Sequence, residues 1–279
     1  MNQHTLCFVG AGNMAQSLIR GLLEAGTPAD KLRVADPLPA QRDKLAAFGV
    51  STFADNNAAA AGTDAVILAV KPQVANEVVS ALDLGDAQLL ISIAAGIDIR
   101  SLSAWTRVTQ PIVRCMPNTP ALLGAGVTGL FASPACDAGQ RKLAGTILNA
   151  AGTTAWVASE AQIDTVTAVS GSGPAYFFKL MEAMIDAGTD LGLDRATATT
   201  LTIETAMGAA RMAREGEDTP AQLRSNVTSP GGTTAAALGV MEDTDFNAII
   251  HKALNAAEQR AGELAIEFGA PTGHKENHA

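Results

Sequence analysis

Through the first part of the chain, short and nearly continuous apolar runs alternate with stretches of mixed polarity. Thr5-Leu6-Cys7-Phe8-Val9, Leu32-Arg33-Val34-Ala35, Ala65-Val66-Ile67-Leu68-Ala69-Val70, Leu89-Leu90-Ile91-Ser92-Ile93 and Ile112-Val113-Arg114-Cys115 each read as a strand. Runs that are apolar on both faces and joined through helical segments predict a parallel sheet with helices on either side. After about Glu160 the pattern is helical only. Phe177, Leu180, Met184, Ala187 and Leu191 recur three or four residues apart, as do Ile250, Leu254, Ala257, Ala261, Leu264 and Phe268. An α/β domain is therefore expected over residues 1–159 and an all-helical one over residues 160–279.

The first apolar run leads straight into Gly10-Ala11-Gly12-Asn13-Met14-Ala15 and then an amphipathic segment reaching about Ala25. A GxGxxA order between a strand and a helix is the context of a dinucleotide fingerprint. Gly10 permits the tight turn, Gly12 lets the backbone approach a pyrophosphate, and the small Ala15 lets helix and strand pack closely. Asp36 follows the second run, roughly 20 residues on, where such folds hold a ribose hydroxyl. The fold class expected is thus an N-terminal Rossmann domain binding NAD(P), with a C-terminal helical domain.

Composition narrows the function. At 279 residues and 47% hydrophobic, the chain can fill one large core or two ordinary ones. A net charge of −9 with no basic stripe argues against a nucleic-acid partner. No apolar run approaches the ~20 residues that span a bilayer, and Met1-Asn2-Gln3-His4 runs directly into a strand, so a cytoplasmic protein with no membrane contact is expected. Cys7, Cys115 and Cys136 are an odd count, which reads as buried thiols rather than a disulfide framework. His4, His251, His274 and His278 fall in no ligand spacing, so no metal is expected. The helical half is rich in alanine and glycine, and aromatics make up only 4% of the chain, so its thin bundle calls for a partner to cover it. An obligate homodimer follows. The polar tail from Gly273 to Ala279 reads as a frayed end.

Candidate chemistry lies at two places. Val227-Thr228-Ser229-Pro230-Gly231-Gly232-Thr233-Thr234 separates a helix opening with Thr219-Pro220-Ala221-Gln222 from one beginning near Thr234, which carries Leu238 and Met241 on one face. Pro230 stops the first helix, and Gly231 and Gly232 let consecutive N–H groups approach a ligand. At a helix N terminus, roughly half a positive charge favours a carboxylate or phosphate. Thr233 and Thr234 add hydroxyls. The same residues also suit an ordinary interhelical turn; a dinucleotide site in the same chain favours the anion site.

The second place is the carboxyl end of the sheet, where doubly wound folds bind ligands. Lys71-Pro72, Ala94-Ala95-Gly96 and Met116-Pro117-Asn118-Thr119-Pro120 each follow a strand. Lys71 reads equally as a solvated loop lysine and as a residue along a cofactor. Tiny residues at 94–96 admit a flat ring, and Asn118 suits either a carboxamide or a plain turn. Glu160 and Asp164, one helical turn apart, read by default as surface acids. Tyr176, the only tyrosine, beside Ser170-Gly171-Ser172-Gly173-Pro174, reads first as core packing and second as a proton donor.

Taken in order, the fingerprint, Ala69-Val70-Lys71-Pro72-Gln73, Arg114-Cys115-Met116-Pro117-Asn118-Thr119-Pro120, Ala168-Val169-Ser170-Gly171-Ser172-Gly173-Pro174-Ala175-Tyr176 and the Ser229–Thr234 loop resemble the Δ1-pyrroline-5-carboxylate reductase family, to about Phe268. The resemblance implies reduction of the C=N bond of 1-pyrroline-5-carboxylate to L-proline with NADPH or NADH, the last step of proline biosynthesis. It implies that Asn56, Ala69, Val70, Lys71 and Pro72 line the nucleotide together with the fingerprint, that Ala94, Ala95 and Gly96 pass beneath it, and that Asn118 and Asn226 reach it. On that resemblance Gly231, Gly232, Thr233 and Thr234 are expected to hold the substrate carboxylate, with Thr234 facing the ring nitrogen, and Glu160 to lie near the substrate. It further implies interlocked dimers that assemble into decamers; were Asn226 and Thr234 to act in trans, a second subunit would complete each site. Many members favour NADPH, whereas Asp36 would repel a 2′-phosphate unless Asp36-Pro37 turned away and left Arg42 to face it, so the choice of cofactor stays open. Two other readings are a Rossmann hydroxy-acid or keto-acid dehydrogenase, which would use a helix lysine such as Lys179 as general acid, and a non-catalytic NAD(P)-binding redox sensor, which would need no substrate loop.

Overall fold

The structure, a computed structural model, describes residues 3–269. The expected frayed tail, with His274 and His278, lies outside the described residues, as do Met1 and Asn2. Packing divides the described chain into two compact units: residues up to Ser172 together with those from Ala256 onward, and Gly173–Asn255.

The first unit begins β1 (Leu6–Val9), α1 (Asn13–Glu24), β2 (Leu32–Ala35), α2 (Pro39–Ala46), β3 (Ser51–Phe53), α3 (Asn56–Ala60) and β4 (Ala65–Leu68). It continues α4 (Pro72–Ser80), β5 (Leu89–Ser92), α5 (Ile99–Trp105), β6 (Ile112–Met116), β7 (Gly126–Ala132), α6 (Ala138–Asn149), β8 (Gly152–Trp156) and α7 (Gln162–Val166). The strands form one sheet in the order β3-β2-β1-β4-β5-β6-β7-β8. Alternate residues face opposite sides. Leu6, Phe8, Ala65, Ile67, Leu89 and Ile91 pack with Leu18, Ile19 and Leu22 of α1 and with Ile147 and Leu148 of α6. Cys7, Val9, Val66, Leu68 and Leu90 pack with residues of α3, α4 and α5 on the other side. Both faces are dry, which is why these strands read as unbroken apolar runs.

The strands read from the sequence are parallel as expected, and one edge adds an antiparallel step. From β3 through to β6 neighbouring strands are parallel, but β7 lies antiparallel to β6, and β8 is parallel to β7. The link from β6 to β7 carries only a single 3-10 turn, Thr119–Leu123. A parallel return needs a crossover of a dozen or so residues, commonly a helix, so the chain doubles back instead. α6 then supplies such a crossover into β8.

The second unit holds α8 (Gly173–Asp190), α9 (Arg195–Glu215), α10 (Pro220–Asn226), α11 (Thr233–Asp243) and the start of α12 (Phe246–Gly269). Asp194 caps α9 by accepting the Thr197 N–H at 3.0 Å, and hydrogen bonds from the Thr197 hydroxyl first and its N–H second hold the carboxyl below the usual range. Gly188 of α8 approaches Ala198 of α9, the close packing that small residues permit. The later half of α12 belongs to the first unit, where Phe268 packs on one face of the sheet and the Ser101 hydroxyl donates to Gly269 O at 2.8 Å.

Candidate active site

The turn from β1 into α1 is built around Gly10. Its φ is +99°, and a Cβ there would lie 2.6 Å from Ala69 O, so both conformation and space require glycine. The Gly10 N–H donates to Ala35 O and the Ala69 N–H to Val9 O, each at 2.8 Å, tying the ends of β1, β2 and β4 together. Gly12 is the N-cap of α1, and among the described residues no side chain caps the helix and nothing lies within 4 Å of where a Gly12 Cβ would stand. The N–H groups of Asn13, Met14 and Ala15 thus open the helix beneath clear space, with Ala15 itself buried. An uncapped helix start with open backbone fits the pyrophosphate of a dinucleotide.

Asp36 stands at the end of β2, as expected. Its Oδ2 accepts the Ala11 N–H at 2.9 Å and its Oδ1 the Leu38 N–H at 2.9 Å. Arg42 donates to the main-chain oxygens of Asp36 and Pro37, at 2.6 and 3.1 Å. The carboxylate is therefore held at the turn and has not swung away.

The remaining strand-end residues gather at the same edge with differing employment. Asn56 opens α3, half-buried, behind the cap Asp55, and Lys71 is exposed as the N-cap of α4 ahead of Pro72. Ala69 and Val70 close over Gly10. Ala94 is buried, Ala95 half-buried, and Gly96, with φ +71°, would place a Cβ 3.2 Å from Leu264, so its smallness also admits α12. Asn118 is buried: its Nδ2 donates to Ser170 O at 3.0 Å and its Oδ1 accepts the Val127 N–H at 2.9 Å. That amide pins the start of β7 to Thr167–Gly171, a π-helical turn.

Glu160 and Asp164, read by default as surface acids, in fact flank Arg114, whose side chain is only 5% exposed. Arg114 donates to Glu160 Oε1 at 3.3 Å and to Asp164 Oδ1 at 2.9 Å, and Glu160 Oε1 also accepts the Ile99 N–H at 2.7 Å. A guanidinium this deeply buried needs paired acids; Asp164 comes from α7 and Glu160 from the turn just before it. Sequence reasoning missed Arg114 as their partner because β6 and α7 meet only in the fold.

In the second unit, Thr219 caps α10 by accepting the Gln222 N–H at 3.3 Å, with Pro220 first in the helix, as its sequence order predicts. Asn226 ends α10, its Oδ1 taking Gln222 Nε2 at 2.8 Å and its Nδ2 donating to Asp218 at 3.0 Å. Gly231 adopts φ +70°, and Gly232 is the N-cap of α11 with no side-chain cap. A Cβ on Gly232 would stand 2.4 Å from Ser229 Oγ. Thr233 and Thr234 begin the helix, Thr234 half-buried beside free N–H donors. An uncapped helix start with a hydroxyl at its mouth can hold a carboxylate and hydrogen-bond a neighbouring nitrogen.

Comparison with known proteins bears directly on this pairing of a fingerprint with an uncapped α11. The pyrroline-5-carboxylate reductase of Pseudomonas aeruginosa is 52% identical over 272 residues, spanning 96% of this chain and 100% of that protein. That of Haemophilus influenzae is 44% identical over 272 residues, again 96% and 100%. The chain belongs to the pyrroline-5-carboxylate reductase family. The family described as pyrroline-5-carboxylate reductase dimerisation matches residues 160–264, and that described as NADP oxidoreductase, coenzyme F420-dependent, matches residues 5–96. A solved pyrroline-5-carboxylate reductase from Coxiella burnetii is similar at 42% identity with a TM-score of 0.90, covering 95% of this chain and 99% of that one. A Plasmodium falciparum pyrroline carboxylate reductase with NADP bound is similar at 30% identity and TM-score 0.84, covering 95% and 99%.

Membership of the pyrroline-5-carboxylate reductase family leaves the lysine of a hydroxy-acid dehydrogenase without a counterpart. Lys179 is exposed and paired with Glu182 at 2.8 Å, and that hydrogen bond raises its pKa, the opposite of what a lysine general acid near neutral pH needs. Tyr176 has a buried hydroxyl with no hydrogen-bond partner among the described residues. Gln16, missed from the sequence, donates to Ala11 O at 2.7 Å; its place in the first turn of α1 was the only signal.

Proposed function

We propose that the chain reduces the C=N bond of 1-pyrroline-5-carboxylate to L-proline, the last step of proline biosynthesis, using NADPH or NADH. The observation that carries this is the match along nearly the whole chain to pyrroline-5-carboxylate reductases, at 52% identity to one of them. The uncapped α11 behind Ser229–Gly232 supports it. A bound nicotinamide supplies the hydride for C5, and one proton completes the amine.

The protein's own share is positioning. Gly10, Ala11, Gly12, Asn13, Met14 and Ala15 receive the pyrophosphate, Asp36 the ribose, and Asn56, Ala69, Val70, Lys71, Pro72, Ala94, Ala95 and Gly96 line the nucleotide. Asn118 serves the site by fixing the loop after β6, with Asn226 contributed by the helical domain. Gly231, Gly232 and Thr233 form the loop that holds the substrate carboxylate, with the N–H groups that open α11 as donors while the Gly232 N–H stays on Ser229 O, and the Thr234 hydroxyl hydrogen-bonds the ring nitrogen. No strong acid is required if the imine enters protonated. Glu160 acts near the substrate through Arg114 and the start of α5.

The working form in this reading is a cytoplasmic homodimer, five of which assemble into a decamer. Functionally the division falls at residues 159/160, a nucleotide domain followed by a dimerisation and substrate domain. Phe177 and Phe178, 64% and 62% exposed, support a second copy as the cover for α8. The test is oxidation of NADPH and NADH by the purified chain with pyrroline-5-carboxylate, with proline measured as product. Formation of proline in step with cofactor oxidation is the expected result; nucleotide binding without turnover would favour a non-catalytic module.

A further inference from the structure

In the first unit the peptide of Ala11, second residue of the fingerprint, is held from both sides. Its N–H donates to Asp36 Oδ2 at 2.9 Å and its carbonyl accepts Gln16 Nε2 at 2.7 Å. Leu38 N–H fixes the other carboxylate oxygen of Asp36 at 2.9 Å. Gln16 is itself steadied by Gln41 Oε1 at 3.2 Å, which also takes Lys44 Nζ at 3.2 Å. Arg42, the cation that would have to read a phosphate here, spends Nη1 on the carbonyls of Asp36 and Pro37.

We infer that Asp36 and Gln16 clamp the fingerprint turn, and that the carboxylate so fixed makes this chain select NADH over NADPH. Each oxygen of Asp36 accepts one backbone N–H and keeps a second lone pair, which suits a ribose hydroxyl as donor. A 2′-phosphate offers acceptors only and brings nearly two further negative charges beside a carboxylate that cannot turn without losing two hydrogen bonds. NADPH therefore requires the clamp to open, whereas NADH does not. Gln16 is a positioning residue in this scheme, acting through the Ala11 peptide. The inference rests on the proposed reaction only for the class of cofactor.

The experiment is a calorimetric titration of the purified chain with NADH and with NADPH, without substrate and at one ionic strength, so that it reads cofactor choice even if pyrroline-5-carboxylate is not turned over. NADH should bind at least about tenfold tighter. Asp36→Asn keeps a carbonyl oxygen for one backbone N–H and removes the charge; the NADH:NADPH ratio should fall toward one, mainly through tighter NADPH. Gln16→Leu should weaken both nucleotides by a similar factor and leave the ratio unchanged. Equal or tighter binding of NADPH by the unaltered chain, or an unchanged ratio in Asp36→Asn, overturns the selection. Gln16→Leu binding both nucleotides as well as the unaltered chain overturns the clamp.

Discussion

The two units of this chain solve the problem of stability in opposite ways. In the first, whole strands are buried: β1, β4 and β5 are covered along their length, and twin apolar layers lie on either face of the sheet. In the second, only Gly173, Ala198 and Thr202 are buried, while Phe177, Phe178, Met207, Val240 and Ile249 face outward. One unit has a core of its own. The other has the makings of half a core, which a second copy would complete. The contrast extends to the chemistry. The fingerprint turn is fixed from within by Ala69, Asp36 and Gln16, whereas the α11 loop is braced chiefly by local bonds such as Gly232 N–H to Ser229 O.

Substitutions sharpen that comparison, beginning where the effect should be largest. Phe8→Ala empties a fully buried site in the sheet and should cost about 3–5 kcal/mol by denaturant unfolding. Thr234→Ala should leave the fold intact and lower turnover about 10²-fold; a change below twofold in both kinetic constants would remove the hydroxyl from the mechanism. Phe177→Asp should leave the sheet unit folded yet shift the chain toward monomer, by about 2 kcal/mol or more of association. A variant as fully associated as the unaltered chain would mean that α8 is covered in some other way.

Smaller effects probe the details. Glu160→Gln weakens the bridge to Arg114 and should lower stability by about 1–3 kcal/mol, with the KM for pyrroline-5-carboxylate nearly unchanged; a raised KM at unchanged stability would assign Glu160 to direct substrate contact. Burial pushes the Cys7 thiol up to about 12 and that of Cys115 higher still. Both should resist a thiol reagent in the folded chain at pH 8 and react once it is unfolded. An unfolded thiol ionises from about pH 8.5 while the folded ones stay neutral, so these two cysteines should lower stability as pH rises above that value. A flat stability profile from pH 8.5 to 10 would contradict their burial.

Legibility in the sequence follows the same contrast. The parallel strands were readable because both faces are dry, which writes them as continuous apolar runs. β7 was hidden by Gly126 and Gly129, which are small because Ala121 and the Val166 side chain press against them. β8 was hidden because it is an edge strand with Thr153, Ala155 and Trp156 exposed. α9 carries its apolar residues on an uncovered surface, so no single stripe marks it. In the site, local features were legible: the GxGxxA turn, the Thr219 cap and the Gly231–Gly232 bend. Partnerships across the fold were not, since Asn118 meets Ser170, and Arg114 meets Glu160 and Asp164, only once β6 has been laid beside them.

The central claim is that the helical unit works only when covered by a second copy. Sedimentation velocity over a dilution series, with the rate of pyrroline-5-carboxylate reduction measured at each concentration, tests it most directly. The account predicts particles of twice the chain's mass or a multiple of that, with activity per chain falling wherever monomer appears. A monomer that keeps full activity on dilution would contradict it.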